Sequence, residues 1–141
     1  MSFCTAVNCI DGRVQIPVIR YLQERFGVRY VDLVTEPGPG RSLSGPADPE
    51  IKRSILRRVG VSVDTHGSRL IAVVAHADCA GDPADPEEQR RQLAASADHL
   101  AGSFPSASIL GLWVCERGVV HPTCSRWPAG EAGGEDDQAN Q

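Results

Sequence analysis

The sequence lacks a hydrophobic run long enough to cross a membrane. No apolar stretch among its 141 residues reaches the roughly 20 residues that a membrane-spanning helix needs, and the mean hydropathy of -0.21 is ordinary for a water-soluble chain. The first residues also lack the basic segment and apolar core of a secretory signal. We therefore expect a cytoplasmic protein that does not bind membranes.

The sequence also lacks an excess of basic residues. It has 14 Lys and Arg against 18 Asp and Glu, a formal net charge of -4. All of the basic residues lie at or before Arg126, and four acids follow it: Glu131, Glu135, Asp136 and Asp137. The chain up to Arg126 is therefore formally neutral, which argues against a nucleic-acid-binding surface.

A disulfide framework is missing as well. The five cysteines are an odd number at spacings that match no secreted disulfide pattern, and thiols stay reduced in a cytoplasm. Metal binding or burial is therefore the better explanation. Cys9 and Cys79 stand in motifs suited to metal binding. Cys4 and Cys115 lie in strand-like runs and are expected to be buried thiols, whereas Cys124 is a candidate for an exposed reactive thiol.

What the sequence does contain is a regular alternation of strand and helix patterns, within the length of one domain. Continuous apolar runs are typical of buried parallel strands. The helical spacing of Val18, Leu22 and Phe26, closed by Gly27, is typical of an amphipathic helix. Such patterns predict strands at 3–8, 29–35, 69–75 and 108–115, and helices at 15–26, 49–66 and about 85–102.

The connections are predicted from glycine, proline and charge. Residues 36–40 are expected to form a rigid loop, because their prolines and glycines suit neither a helix nor a strand interior. A short turn after residue 115 leads into a strand at 119–121, which predicts an antiparallel hairpin. The apolar period is lost from Pro122 onward. Residues 129–141 are predicted to be a disordered acidic tail, outside a single domain of residues 1–128.

Alternating strands and helices predict an α/β fold of three layers, with a mostly parallel sheet and helices on both faces. If the second strand lies outside the first and the third is its other neighbour, the strand order is 2-1-3-4, with an antiparallel edge strand beyond. Open sheets of this kind bind ligands at the carboxyl ends of the strands where the winding direction reverses. Cys9 follows the first strand and His76 the third, so both are expected at that point.

Cys9, His76 and Cys79 together form a good ligand set for Zn²⁺. Two thiolates and an imidazole leave the fourth tetrahedral position open to water, which is the mark of a catalytic zinc. Asp11 is placed to orient a zinc-bound hydroxide, and Arg13 can keep Asp11 ionised through a bidentate pair. Two other roles stay open. Asp11 could close the site as a fourth ligand, or it could merely cap the following helix while Arg13 neutralises it.

These motifs and their order resemble the β-class carbonic anhydrases, in which a Cys-x-Asp-x-Arg and a His-x-x-Cys hold zinc. The resemblance covers roughly residues 3–121. It implies Cys9, His76 and Cys79 as zinc ligands, Asp11 and Arg13 as a catalytic dyad, and reversible hydration of CO2 by a zinc-bound hydroxide. It also implies a homodimer or higher homo-oligomer in which the partner walls part of each pocket.

The sequence departs from that family in three places. Its members usually begin with helices that embrace the partner, and they often carry a glutamine before the first cysteine strand; neither precedes Cys9 here. Residues 36–40 stand where an Arg-Asn-Ala-Gly-like segment is common. The glycine that follows the second motif comes one place late, as Gly81. The first two departures fall where the dimer contact and the substrate pocket are expected.

The ligand spacing leaves alternatives open. Relatives of this fold use the same ligands to hydrolyse carbonyl sulfide or carbon disulfide, and a non-catalytic module that keeps zinc for stability is a third hypothesis. A zinc deaminase is not supported, because its His-x-Glu and Pro-Cys-x-x-Cys signature is absent. His66, His99 and His121 are expected to be structural or solvated, with proton shuttling as the alternative role.

Overall fold

The computed structural model describes residues 1–45 and 48–128. None of its helices is long and apolar enough to cross a membrane, as far as the chain is described. The predicted tail at 129–141 lies outside the described residues. In chain order the elements are β1 (Phe3–Asn8), a 3-10 turn (Gly12–Val14), α1 (Gln15–Phe26), β2 (Tyr30–Thr35), α2 (Pro39–Ser44), α3 (Pro49–His66), β3 (Leu70–His76), α4 (Pro86–Ser103), β4 (Ser108–Val114) and β5 (Val120–Arg126).

The strands form one five-stranded sheet in the order β2-β1-β3-β4-β5. Strands β1 to β4 are parallel, and β5 runs antiparallel to β4. This confirms the predicted order 2-1-3-4 and the antiparallel edge strand. Because β1 pairs with β2 on one side and with β3 on the other, the winding direction reverses between β1 and β3. The carboxyl ends of these two strands therefore lie side by side.

The sheet is buried on both faces, which explains its continuous apolar runs. Every residue of β3 is buried, and its side chains alternate between two cores. Ala72 and Val74 pack in the core that includes Val18 and Leu22 of α1. Ile71 and Val73 face the opposite core, to which α2, α3 and α4 all contribute. The three layers with helices on both faces are thus confirmed.

The structure differs from the prediction after β2. The loop expected across residues 36–40 ends early, because Pro39 begins α2. Gly38 stands before it with a φ of 60°, a left-handed conformation that glycine adopts without strain. Pro39 occupies the first turn, where its missing N–H costs no helical hydrogen bond. The Pro-Gly pattern predicts a loop, but the same residues also suit a helix start.

β5 is also longer than predicted. The strand was expected to end at His121, but it continues to Arg126. Pro122 is tolerated because β5 is an edge strand, and the pairing register shifts beside it, next to Gly111 of β4. The missing apolar period after His121 therefore reflects a half-exposed edge strand and not the start of a disordered tail.

A hydrogen-bonded cluster fixes α3 against the sheet. The Ser62 hydroxyl accepts a hydrogen bond from Thr5 Oγ1 at 2.6 Å and donates one to Asp32 Oδ2 at 2.7 Å. It also lies 2.7 Å from Ser68 Oγ. Asp32 Oδ2 is in addition 2.6 Å from His66 Nδ1. Thr5, Ser62 and Ser68 are buried, so their hydroxyls depend on one another rather than on water.

We expect the substitution Ser62→Ala to lower the free energy of unfolding by about 1–3 kcal/mol, because its buried partners lose a hydrogen bond. Ser54→Ala is the matched control on the same helix, since the Ser54 hydroxyl bonds to no described residue. It should change stability by less than about 0.5 kcal/mol. Urea denaturation of both variants provides the measurement, and equal losses would contradict the role assigned to the cluster.

Candidate metal centre

The structure brings Cys9, His76 and Cys79 together at the reversal point. Cys9 directly follows β1, and His76 is the last residue of the neighbouring strand β3. One potential ligand atom from each side chain lies within 4.8 Å of the others, and the two sulfurs are 3.8 Å apart. Cys9, His76 and Cys79 are 3%, 2% and 7% exposed. The arrangement is therefore a buried cluster that could hold a metal ion.

The hydrogen bonding of His76 makes one of its ring nitrogens available. Nδ1 lies 2.8 Å from the carbonyl oxygen of Ala77, which can only accept, so Nδ1 carries the proton. In the neutral ring Nε2 is then the acceptor nitrogen, and it is buried without a hydrogen-bond partner among the described residues. A buried imidazole nitrogen of this kind is costly unless something binds it. A backbone acceptor on the other nitrogen is the usual support of a metal-binding histidine.

The two sulfurs also fit a cation. Burial, followed by the neighbouring Cys9 sulfur, raises the pKa of the Cys79 thiol to about 11. Two thiolates so close together in a buried site repel each other unless a positive charge lies between them. The backbone N–H groups of Gly81 and Asp82 act in the opposite direction on the pKa of the Cys79 thiol, because they favour the thiolate. The donor set of two sulfurs and one imidazole nitrogen suits a divalent metal.

Two polar side chains that the sequence reasoning overlooked shape the loop after β1. Asn8 Oδ1 accepts a hydrogen bond from the backbone N–H of Cys9 at 2.9 Å, and Asn8 Nδ2 donates to the carbonyl of Val14 at 3.2 Å. Gln15 Nε2 donates to the carbonyls of Cys9 at 2.5 Å and Asp11 at 3.1 Å. Asn8 is fully buried. Its position at the end of an apolar run is the feature of the sequence that could have identified it.

Asp11 and Arg13 form the bidentate pair that the sequence predicts. Arg13 Nε donates to Asp11 Oδ1 at 3.0 Å, and Arg13 Nη2 donates to Asp11 Oδ2 at 2.6 Å. These hydrogen bonds hold the pKa of the Asp11 carboxyl well below its usual range. Asp11 Oδ1 also caps the 3-10 turn by accepting from the Arg13 N–H at 2.9 Å. The carboxylate thus serves as a cap and as a partner of the guanidinium, and it stays outside the metal-binding cluster.

Asp78, between the two ligands of the second motif, is a further partner of Arg13. Arg13 Nη2 donates to the Asp78 carbonyl at 3.1 Å, and Arg13 Nη1 donates to Asp78 Oδ2 at 3.3 Å. Asp78 has a φ of 56°, in the left-handed region that aspartate enters more readily than most residues. The guanidinium therefore bridges the two motifs. No pattern in the sequence pointed to this contact.

Close packing requires Gly81, the glycine that comes one place late after the second motif. A Cβ atom on Gly81 would lie 2.5 Å from the carbonyl carbon of Pro37 and 2.7 Å from the Gly38 nitrogen. Both neighbours are backbone atoms, which cannot rotate away as a side chain could. The loop between β3 and α4, which we call the metal-side loop, thus packs directly on the segment that leads into α2. Only glycine permits this approach.

A cleft of about 390 Å³ opens beside His76. Its apolar walls include Val14, Pro17 and Val114, and two guanidinium groups line it, those of Arg13 and Arg117. A second cavity of about 430 Å³ lies at the amino ends of β3 and β4, and Cys9, His76 and Cys79 do not line it. Of these two cavities, the first is therefore the one that borders the cluster.

The remaining histidines are engaged elsewhere. His66 pairs with Asp32, and Lys52 Nζ lies 3.2 Å from His99 Nδ1. The His121 ring packs at a tilt against Trp113, with the ring centroids 6.4 Å apart. None of the three lines the cleft beside His76. The geometry gives no support to any of them as a proton shuttle.

The other cysteines correct the sequence prediction. Cys115 was expected to be buried, but it is half-buried in the turn after β4, where N–H groups of Arg117 and Val119 lower the pKa of its thiol. Cys124 was the candidate for an exposed thiol, yet burial raises its pKa. Cys4 is buried as predicted, and burial followed by the Asp32 charge raises its pKa to about 12.

We expect Cys115 to react first with iodoacetamide at pH 7.5, because the thiolate is the nucleophile and Cys115 forms it most readily. Cys4 should remain unmodified in the folded protein. Mass spectrometry of peptides from a time course measures the order of labelling, and Cys115→Ser should remove the fast phase. Faster labelling of Cys124 or Cys4 in the folded protein would contradict the assignment.

Comparison with known proteins agrees with this geometry. A family model described as "Putative carbonic anhydrase" matches residues 1–124. No curated protein sequence matches the chain significantly.

Several solved structures share the fold. A β-carbonic anhydrase, isoform I of Trichomonas vaginalis, aligns with a TM-score of 0.55 at 17% identity, over 85% of this chain and 81% of that chain. One of two tetrameric β-carbonic anhydrases of Sordaria macrospora aligns with a TM-score of 0.50 at 11% identity, over 87% and 81%. A carbon disulfide hydrolase gives 0.43 at 13% identity, over 91% and 79%, a likeness too loose to bear on the substrate. At these identities the likenesses concern the fold alone.

Proposed function

Since the chain belongs to the carbonic anhydrase family, we propose that it is a zinc lyase that hydrates CO2 reversibly to bicarbonate. Cys9, His76 and Cys79 would hold the Zn²⁺. The observation that carries the proposal is the unpartnered, buried Nε2 of His76 beside two sulfurs. Bound zinc would supply a Lewis acid that activates water at neutral pH.

The carboxylate of Asp11 would orient the water. It lies two residues from Cys9, and its low pKa keeps it ionised as a hydrogen-bond acceptor at neutral pH. Both of its oxygens already accept from Arg13, which fixes the direction in which the remaining lone pairs point. Asp78 in turn fixes the guanidinium of Arg13, so the position of Asp11 depends on both motifs.

The cleft suits a substrate that is uncharged and a product that is an anion. CO2 carries no charge and meets apolar walls at Val14, Pro17 and Val114. Bicarbonate would be attracted by the guanidinium groups of Arg13 and Arg117 that line the same cleft. Within the described chain, the metal-binding cluster contains three side chains. That number supports an open fourth position rather than the closed sphere of a non-catalytic module.

We further propose that the protein is a cytoplasmic homo-oligomer whose residues 1–128 form one domain. The exposed apolar side chains of Ile16 on α1 and Val119 in the β4–β5 connection line one surface cleft. Exposed apolar surface shared by two elements is typical of a protein interface. Light scattering after size-exclusion chromatography measures the assembly, and a monomer at micromolar concentration would contradict it.

We expect the zinc-loaded protein to accelerate CO2 hydration in a stopped-flow assay at pH 7 to 8.5. Asp11→Asn should lower kcat by roughly 10²- to 10⁴-fold, because it removes the charge that orients the water. Arg57→Ala is the control, since Arg57 is an exposed residue of α3, and the buried apolar side chains of α3 pack in the core opposite the one that contains Cys9 and Cys79. It should leave kcat unchanged.

The same preparation separates the alternatives. Zinc-loaded protein that gives no hydration above buffer would refute the proposed activity. Release of sulfide from carbonyl sulfide or carbon disulfide by that protein would then identify it as a hydrolase of such substrates. Inactivity toward all three, with zinc bound, would favour the non-catalytic module.

A further inference from the structure

Helix α4 reaches the metal-side loop through one buried glutamine. Gln89 is 2% exposed, and both ends of its amide are used. Its Oε1 accepts a hydrogen bond from Trp113 Nε1 at 2.7 Å, and its Nε2 donates to the carbonyl of Asp82 at 3.1 Å. The amide thus connects β4 to the loop that follows Cys79.

Trp113 sets the direction of that amide. An indole N–H can only donate, so Oε1 of Gln89 has to face it, and Nε2 is then left to face Asp82. Trp113 is itself 7% exposed, with the guanidinium of Arg90 stacked 5.2 Å from its ring centroid. A flip of the Gln89 amide would break both hydrogen bonds, so its orientation is firmly determined.

Asp82 carries this support to the metal centre. Its backbone N–H donates a hydrogen bond to the carbonyl oxygen of Cys79 at 3.3 Å. Contacts that fix the backbone of a ligand residue fix the position of its metal-binding atom. The carbonyl that Gln89 holds and the N–H that bonds to Cys79 belong to the same residue. Displacement of the Asp82 carbonyl would therefore carry the N–H away from Cys79.

The side chain of Asp82 holds the loop less firmly than Gln89 does. Although Asp82 is 2% exposed, its Oδ1 accepts only from Ala84 N at 3.3 Å and from Gln92 Nε2 at 3.5 Å. Its Oδ2 has no hydrogen-bond partner among the described residues. Of the contacts between α4 side chains and this loop, the one from Gln89 is thus the better made.

We propose that Gln89 is a positioning residue of the metal centre, which holds Asp82, and through it the backbone of Cys79, in place and so strengthens metal binding. The inference rests on the proposed zinc site. It assigns a role to a residue that lies ten positions beyond the second motif and makes no hydrogen bond to any of the three proposed ligands.

Gln89→Leu tests the inference in the full-length protein. Leucine fills a similar volume and removes both hydrogen bonds. We expect its affinity for Zn²⁺, measured by competition with a chromophoric chelator, to fall by about 10- to 100-fold. In the Co²⁺-substituted protein, the thiolate-to-metal charge-transfer band should shift or weaken. A purely structural role would move neither the band nor the affinity once folding is matched by circular dichroism.

Gln92→Leu is the matched control, because Gln92 lies on the same helix, one turn further along, and contacts the loop only at 3.5 Å. It should keep the wild-type affinity and spectrum. If Gln89→Leu does not fold, Trp113→Phe provides the second variant, since it removes the donor that orients the Gln89 amide. It should lower zinc affinity in the same direction.

The outcomes separate the two proposals. Wild-type zinc affinity and an unchanged cobalt spectrum in Gln89→Leu, or in Trp113→Phe if the former does not fold, would overturn the role of Gln89 while leaving the zinc site intact. An equal loss in Gln92→Leu would overturn it as well. A wild-type protein that binds no zinc would overturn both proposals at once.

Discussion

The structure depends on the need to balance two closely spaced, buried sulfurs and an imidazole nitrogen that has no partner. Such groups are unfavourable together in a protein interior unless a cation joins them. These groups come together because the parallel sheet reverses its winding direction between β1 and β3. The carboxyl ends of these two strands lie side by side there, which brings Cys9 to His76.

Around that cluster, rigidity comes from contacts between loops rather than from the helices alone. Arg13 joins the two motifs through Asp11 and Asp78. On the other side, Gly81 packs against the backbone that leads into α2. The loop after β1 is thus fixed by its contacts with the second motif. The loop after β3 is fixed by its packing on the segment that leads into α2.

Electrostatics and burial divide the site into two parts. The ligands are nearly inaccessible, whereas the Arg13 side chain is 62% exposed. Exposed ion pairs add little to stability, because water and salt screen them. The contacts of Arg13 therefore fix the direction in which the Asp11 carboxylate points, whereas the buried side chains of His76 and Cys79 belong to the cluster that could hold a metal ion.

The sequence by itself predicted the strands, the helices of the sheet layers and the three side chains of the cluster that could hold a metal, because apolar runs and motif spacing are local signals. It did not reveal α2, since Pro39 suits a loop and a helix start equally, and it ended β5 too early, because an edge strand carries no continuous apolar run. Asp78 and Gln89 were also missed. Their roles depend on a left-handed backbone and on a partner distant along the chain, which only the tertiary structure decides.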